Sequence, residues 1–249
     1  MRSIRVITSQ HRPYYDLIGK ESITTFLKHW PKEIKMELWA ENFVPEEQSD
    51  RLIIKDFFKI NPRFQNFVDL VEGHTDNPKV ICRKKFWMKG HVVLSALEEF
   101  NDDIFIWLDS DVITLKDIPL DFFYNLLDNN TLSVDIPAGG KAKYREAETG
   151  FFILNMKHPL KNIVIDYYRK AHTTLEIMNC HRFMETGAWA NGVKLAEAQG
   201  AKTNHLGSAI NHITPFMHTE LKEYMRHWVD PKNKALYAKG EKITKEELL

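Results

Sequence analysis

Apolar positions recur along the chain with two different periods. Ile4–Thr8 is a short apolar run closed by polar Thr8-Ser9-Gln10 and reads as a buried strand. From Tyr14 to Trp30, apolar Leu17, Ile18, Ile23, Phe26, Leu27 and Trp30 return at close to helical spacing, and Pro31 stops the pattern. Met36–Ala40 reads as a second short strand, so the chain opens strand–helix–strand, the start of an α/β sheet. The stretch 45–80 is ambiguous: Leu52-Ile53-Ile54 fits a strand, and Phe64, Phe67, Val68 and Val71 keep helical spacing after Pro62. Arg83–Phe100 reads as a helix with Phe86, Val93, Leu94 and Leu97 on one face. Asp103–Leu108 reads as a strand that runs directly into Asp109-Ser110-Asp111. Pro119–Leu127 is expected to be helical with proline in its first turn, Thr131–Ile136 and Gly150–Asn155 to be strands, and Leu160–Leu175 and Thr186–Ala198 to be helices. Beyond residue 200 the pattern turns irregular and His-rich. No repeat or long linker interrupts it, so one domain over 1–249 is expected, with a nucleotide-like first half and a more variable second half.

Composition narrows this picture. Residues of the hydrophobic set make up 43% of the 249 and charged residues 27%, which is ordinary for a folded globular chain. Lys plus Arg is 34 and Asp plus Glu is 34, so no global charge draws the protein to nucleic acid or to an anionic membrane, although a local basic site remains open. Cys82 and Cys180 are too few for a disulfide framework or a thiolate zinc site, and two unpaired thiols in a reducing cytoplasm are expected. No run approaches the ~20 apolar residues of a membrane helix. The N-terminus enters a strand-like segment without a signal-peptide apolar region, so a soluble cytoplasmic protein without a membrane anchor is expected.

The chemistry concentrates at Ile104-Phe105-Ile106-Trp107-Leu108-Asp109-Ser110-Asp111. If the strand persists, its alternation points Asp109 and Asp111 the same way. Ligands of open parallel sheets collect at the carboxyl ends of strands. Two carboxylates there repel each other, and a divalent cation is the usual compensation. Oxygen ligands suit Mg²⁺, Mn²⁺ or Ca²⁺, and an Mg²⁺-type site leaves coordination positions for substrate phosphates. The bland reading is a polar turn in which one Asp caps the backbone. Arg83, Lys84, Lys85 and Lys89 begin one helix, with Lys85 and Lys89 sharing a face, which suits a diphosphate as well as it suits a solvated basic surface. Glu148 and Glu185 are the acid–base candidates, and Glu185, just before a helical segment, also fits a capping role. The basic loop Gly139–Arg145 suits either a lid or a plain connection. Trp87, Trp107, Trp189 and Trp228 are expected in the core rather than as ligand platforms.

Trp107-Leu108-Asp109-Ser110-Asp111-Val112 resembles the Asp-x-Asp motif of GT-A glycosyltransferases. Lys85-Phe86-Trp87-Met88-Lys89 through Asp111 is similar to their donor-binding region, and Glu148-Thr149-Gly150 through Asn155 is similar to their second hallmark, a glycine turn entering a strand. The flanks (Ile18-Gly19-Lys20 and Phe26–Pro31) look like small soluble phage-type enzymes of this kind. The resemblance implies a single GT-A, Rossmann-like α/β domain with a mixed central sheet, its nucleotide-sugar-binding half at about 1–118 and its acceptor-binding half and C-terminal metal-ligand segment at about 119–249. It implies transfer of a sugar from a nucleoside-diphosphate sugar, foremost a UDP-sugar, with Mn²⁺ or Mg²⁺ as cofactor. It assigns Asp111 and Asp109 to the metal site, Asp109 through the ribose or the metal's water shell, and a downstream histidine to the same ion; His227 is the choice and His218 the rival. It brings Lys85, Lys89, Lys232 and Lys234 to the diphosphate and Thr8 and Ser9 to the base and ribose. The acceptor it suggests is a glycan or a hydroxymethylated base of phage DNA.

Two other readings stand beside it. An Asp-x-Asp after a buried strand also opens the site of haloacid-dehalogenase-type phosphatases, with Asp109 as nucleophile, but the threonine expected two residues after Asp111 is Ile113, and Thr114 comes one step late. The third is a module that binds a nucleotide sugar without catalysis.

Overall fold

In a computed structural model, residues 2–138, 146–207 and 215–228 are described, with the side chains of Ala138, Glu146 and Pro215 excepted. The chain runs β1 (Ile4–His11), a single turn α1 (Arg12–Tyr14), a π-helical turn (Tyr15–Gly19), α2 (Lys20–His29), β2 (Lys35–Glu41), β3 (Leu52–Asp56), α3 (Phe57–Ile60), α4 (Arg63–Glu72), α5 (Pro78–Ile81) and α6 (Lys84–Glu98). It continues through β4 (Ile104–Leu108), β5 (Val112–Thr114), α7 (Leu120–Leu126), β6 (Thr131–Ala138), β7 (Glu146–Asn155), α8 (Lys161–Thr173), α9 (Glu185–Glu197), β8 (Lys202–His205) and β9 (Met225–His227).

Seven strands form one sheet in the order β3-β2-β1-β4-β7-β6-β8. Neighbours pair parallel except at β4–β7 and β6–β7, so β7 alone runs against the rest of the sheet. The expected mixed central sheet is present. Its strands are apolar on both faces because helices cover both. Ile7, Phe105, Trp107, Phe152 and Leu154 face a core shared with α4, α6, α8 and α9. Val6, Ile104, Ile106, Leu108 and Ile153 face a second core with α2 and α7. Trp87, Trp107, Trp189 and Trp228 are all buried, as expected. Both cysteines are free, Cys82 exposed and Cys180 buried. Among the described residues, no helix is long and apolar enough to cross a membrane.

Several boundaries differ from the sequence reading. The first strand does not end at Thr8-Ser9: it stays paired with β2 as far as His11 opposite Glu41, because backbone pairing with a neighbour overrides the polar side chains. The helix expected over Tyr14–Trp30 starts with α1 and a π-helical turn before α2. The ambiguous stretch contains β3 and α4. The region after residue 200 contributes β8 to the sheet and β9 to a two-stranded ribbon with β5. The chain order reverses between β1 and β4, which opens the crevice where open α/β sheets take ligands.

Two histidines are buried between α4, α6 and α8. The rings of His91 and His172 lie 6.0 Å apart, flanked by Phe64, Phe67 and Tyr168. His172 Nδ1 has the Tyr168 carbonyl at 2.9 Å. Burial, with lesser effects of His172 and Arg63, lowers the His91 pKa to about 2, and burial lowers that of His172 to about 4. Above the ordinary histidine pKa of 6.5, folded and unfolded chains are both neutral at these positions. Below it only the unfolded chain takes up protons, so stability is lost as the pH falls from 6.5 toward 4, on the order of 1 kcal/mol per histidine per pH unit. Urea denaturation is therefore expected to give a clearly lower midpoint at pH 5 than at pH 7.5, and H91Q/H172Q to flatten the difference. A wild-type midpoint unchanged over that range would contradict the burial of two neutral imidazoles.

Candidate functional site

β4 delivers its acidic pair to the switch-point crevice. All five residues of β4 are buried. Asp109 N–H still donates to the Gly150 carbonyl of β7 at 2.9 Å, and Val112 N–H then closes a turn on the Asp109 carbonyl at 3.1 Å. Asp109 and Asp111 thus lie on a turn, not on a continuing strand as the alternation argument assumed. They reach a common partner by another route. β5 pairs antiparallel with β9, Val112 opposite His227, and Trp228 N–H donates to the Asp111 carbonyl at 3.1 Å. This ribbon brings His227 Nε2 to 3.1 Å from Asp111 Oδ1 and 3.6 Å from Asp109 Oδ2. One ligand atom from each of Asp109, Asp111 and His227 falls within 4.8 Å of the others, a donor set that fits a hard divalent cation with one imidazole. His218 is exposed on the turn Pro215–His218 and is not part of this group.

The electrostatics follow from burial and pairing. Burial opposes a charge on His227, but the Asp111 carboxylate, with Glu148 and Asp109 beyond it, overcomes this and raises its pKa to about 9. The two carboxylates that would share a cation thus favour the protonated form of His227. Among the described residues its Nδ1 has no hydrogen-bond partner, and Glu148 Oε1 lies 3.8 Å away. Glu148 Oε1 instead accepts from Gly150 N–H at 2.9 Å. Gly150 is required here, because a Cβ would stand 2.2 Å from His227 Cε1 and 2.4 Å from Nδ1.

Asp109 is held from the opposite side. Lys89, one turn into α6, donates to Asp109 Oδ1 at 2.7 Å, to the Thr149 carbonyl at 2.8 Å and to Thr149 Oγ1 at 3.2 Å. Trp107 Nε1–H, two residues back along β4, donates to the same Asp109 oxygen at 2.7 Å. Behind them, Thr149 Oγ1–H donates to Glu185 Oε1 at 3.0 Å, and Lys89 Nζ is 3.6 Å from that oxygen. Burial works against the Lys89 charge, but Asp109 and Glu185 raise its pKa. Burial raises the pKa of Glu185, and Lys89 offsets part of this. Glu185 is the first residue of α9 rather than the residue before it, and among the described residues its Oε2 has no partner.

The remaining candidates are scattered. Lys85 is exposed, over the Phe86 ring at 4.8 Å, and its charge, after burial, helps to lower the pKa of His11 at the end of β1. It shares a helix face with Lys89 but not its partners. Thr8 is buried within β1 opposite Leu38, and its hydroxyl has no hydrogen-bond partner among the described residues. Ser9 is half-buried opposite Trp39. Lys232, Lys234 and the loop Gly139–Arg145 lie outside the described residues. Sequence reasoning missed three contributors. The i, i+2 spacing of Trp107 and Asp109 on an apolar strand was a readable signal, and Thr149 stood inside the Glu-Thr-Gly motif. Tyr14, whose hydroxyl donates to Asp111 Oδ2 at 3.0 Å from far away in sequence, had none.

No protein-family model matches the sequence, and no curated protein matches it. Solved structures do match in three dimensions. The galactosyltransferase LgtC, in complex with donor and acceptor sugar analogues, aligns over 97% of this chain and 98% of its own at 12% identity, with a TM-score of 0.56. Mouse xyloside xylosyltransferase 1, in its apo form, aligns over 82% of this chain and 85% of its own at 11% identity, with a TM-score of 0.51. The chain has the fold of these GT-A glycosyltransferases.

Gly150→Ala is expected to force the His227 ring aside and to cost about 1–3 kcal/mol. For a domain of this size that lowers the melting temperature by about 2–4 °C per kcal/mol. A variant that melts with the wild type would contradict the contact.

Proposed function

We propose that this protein is a metal-dependent glycosyltransferase that moves a sugar from a nucleoside-diphosphate sugar to an acceptor hydroxyl. The observation that carries the reading is the convergence of Asp109, Asp111 and His227 at the carboxyl end of β4, at the switch point of a GT-A fold. In this reading Asp109, Asp111 and His227 hold Mn²⁺ or Mg²⁺. When bound, that ion supplies positive charge to the donor's diphosphate, stabilising it as leaving group. The bond from the anomeric carbon to the diphosphate oxygen breaks with its electron pair going to the diphosphate. The bond from the acceptor oxygen forms, and the acceptor proton passes to a base or to the departing diphosphate.

The roles of the other side chains follow from their partners. The Lys89 ammonium is engaged by Asp109 and Thr149, so we assign it to orienting Asp109 rather than to gripping the diphosphate directly. Glu185, 2% exposed and set behind Lys89, supports that lysine. Glu148 retains about a fifth of its side-chain exposure beside His227 and is the better candidate to meet the acceptor or the transferred sugar. Lys85, Ser9 and Thr8, near the ends of α6 and β1, are assigned to the nucleotide side of the crevice, and Lys232 and Lys234 to the diphosphate. UDP-sugars are the first donors to try. The phosphatase reading loses support from Ile113 in the place of its threonine and from a GT-A fold.

The test is a panel of nucleoside-diphosphate sugars with Mn²⁺, read by release of free nucleoside diphosphate with and without acceptor. We expect release with one donor class, and a loss of about a hundredfold or more in Asp111→Ala. A variant as active as wild type would refute the metal assignment. Metal binding without turnover of any donor would favour a non-catalytic module. A glycan acceptor and hydroxymethylated duplex DNA separate by salt: transfer to DNA is expected to weaken steeply between 50 and about 200 mM salt, and transfer to a neutral glycan is not.

A further inference from the structure

We propose that Tyr14 is a positioning residue of the cation site, its hydroxyl setting the orientation of the Asp111 carboxylate. The inference rests on the metal reading of Asp109, Asp111 and His227. Asp111 is 6% exposed, and its two oxygens meet different groups. Oδ1 lies 3.1 Å from His227 Nε2, and Oδ2 accepts from Tyr14 O–H at 3.0 Å. A carboxylate engaged on both oxygens has its plane and rotamer set, so that Oδ1 stays aimed at the point shared with Asp109 and His227. A phenol suits this task because it donates a hydrogen bond without bringing a charge that would compete with the cation.

The fold invests several features in placing this hydroxyl. β1 ends in extended backbone at His11, Pro13 sits in the first turn of α1, and Tyr14 is the last residue before the π-helical turn. A π-helical turn is rare and tends to mark functional sites. This one is anchored on both sides. Gly19 packs so tightly on β1 that a Cβ would lie 2.4 Å from Gln10 Oε1. Tyr15 is buried, its hydroxyl donating to Glu47 at 2.8 Å and accepting from Glu46 N–H at 2.9 Å. Tyr14 itself stacks on His11, with ring centroids 5.5 Å apart, and packs with Leu17 against the cluster of Ile18, Ile113 and Trp228. Ile113 lies in β5 and Trp228 follows β9, so this cluster joins the Tyr14 turn to the ribbon that carries His227. Groups that orient metal ligands from behind typically change metal affinity by 10–100-fold when removed.

The test titrates Mn²⁺ into metal-stripped full-length wild type, Tyr14→Phe and Asp111→Asn, reading free Mn²⁺ by electron paramagnetic resonance, and melts each protein in chelator. Phenylalanine keeps the ring and its stacking and removes the hydroxyl alone. We expect Tyr14→Phe to bind Mn²⁺ at least about tenfold more weakly while melting within about 2 °C of wild type. If Asp111→Asn loses Mn²⁺ but Tyr14→Phe binds it as tightly as wild type, the role of Tyr14 is overturned and the metal reading stands. If the loss of affinity comes with an equivalent loss of thermal stability, Tyr14 is a packing residue and the proposal falls. A wild-type protein that binds no Mn²⁺ overturns the metal reading and the proposal together.

Discussion

The pairing of Val112 with His227 is the contact on which the rest of the site depends. Two carboxylates on one turn, close to low-dielectric walls, repel each other unless positive charge stands between or beside them. The protein answers from two directions. Lys89 comes from α6 to Asp109, and His227 comes from the end of the described chain to Asp111. The first depends on a helix packed on the sheet. The second depends on a ribbon of two three-residue strands, held by a few backbone hydrogen bonds, and on a glycine at position 150 that leaves room for the imidazole.

The two acidic residues therefore differ in kind. Asp109 is one-quarter exposed and already engaged on one oxygen by Lys89 and Trp107, with its other oxygen toward His227. Asp111 is buried between His227 and Tyr14. The two glutamates divide in the same way. Glu185 belongs to the support behind Lys89, whereas Glu148 borders the space beside His227. Each of these buried charges faces an opposite one, Glu185 facing Lys89 and Asp111 facing His227, as expected when desolvation makes an uncompensated charge costly.

Much of this was legible in the sequence because it is local. The apolar run 104–108 ending in Asp-Ser-Asp, the helix before it, and the Glu-Thr-Gly entry to the next strand each carry their signal within a few residues; the α/β class follows from the succession of elements, and the mixed sheet was implied by the family resemblance. His227 was nominated through a family resemblance and not through its neighbours in sequence. What escaped was non-local. Strands as short as β5 and β9 have no periodicity to detect, and their pairing joins segments far apart in the chain. Thr8 and Ser9 looked like a strand end because their side chains are polar, yet the backbone goes on pairing with β2. Lys85 and Lys89 share a face at i, i+4, and spacing alone does not separate them; packing against Asp109 and Thr149 does.

Diffraction from crystals grown with Mn²⁺, collected at the manganese absorption edge, bears most directly on whether these three side chains form a cation site. The account predicts an anomalous peak among Asp109, Asp111 and His227, with His227 Nε2 turned from the Asp111 carboxylate to the ion. A peak elsewhere on the protein, with His227 still paired to Asp111, would contradict it.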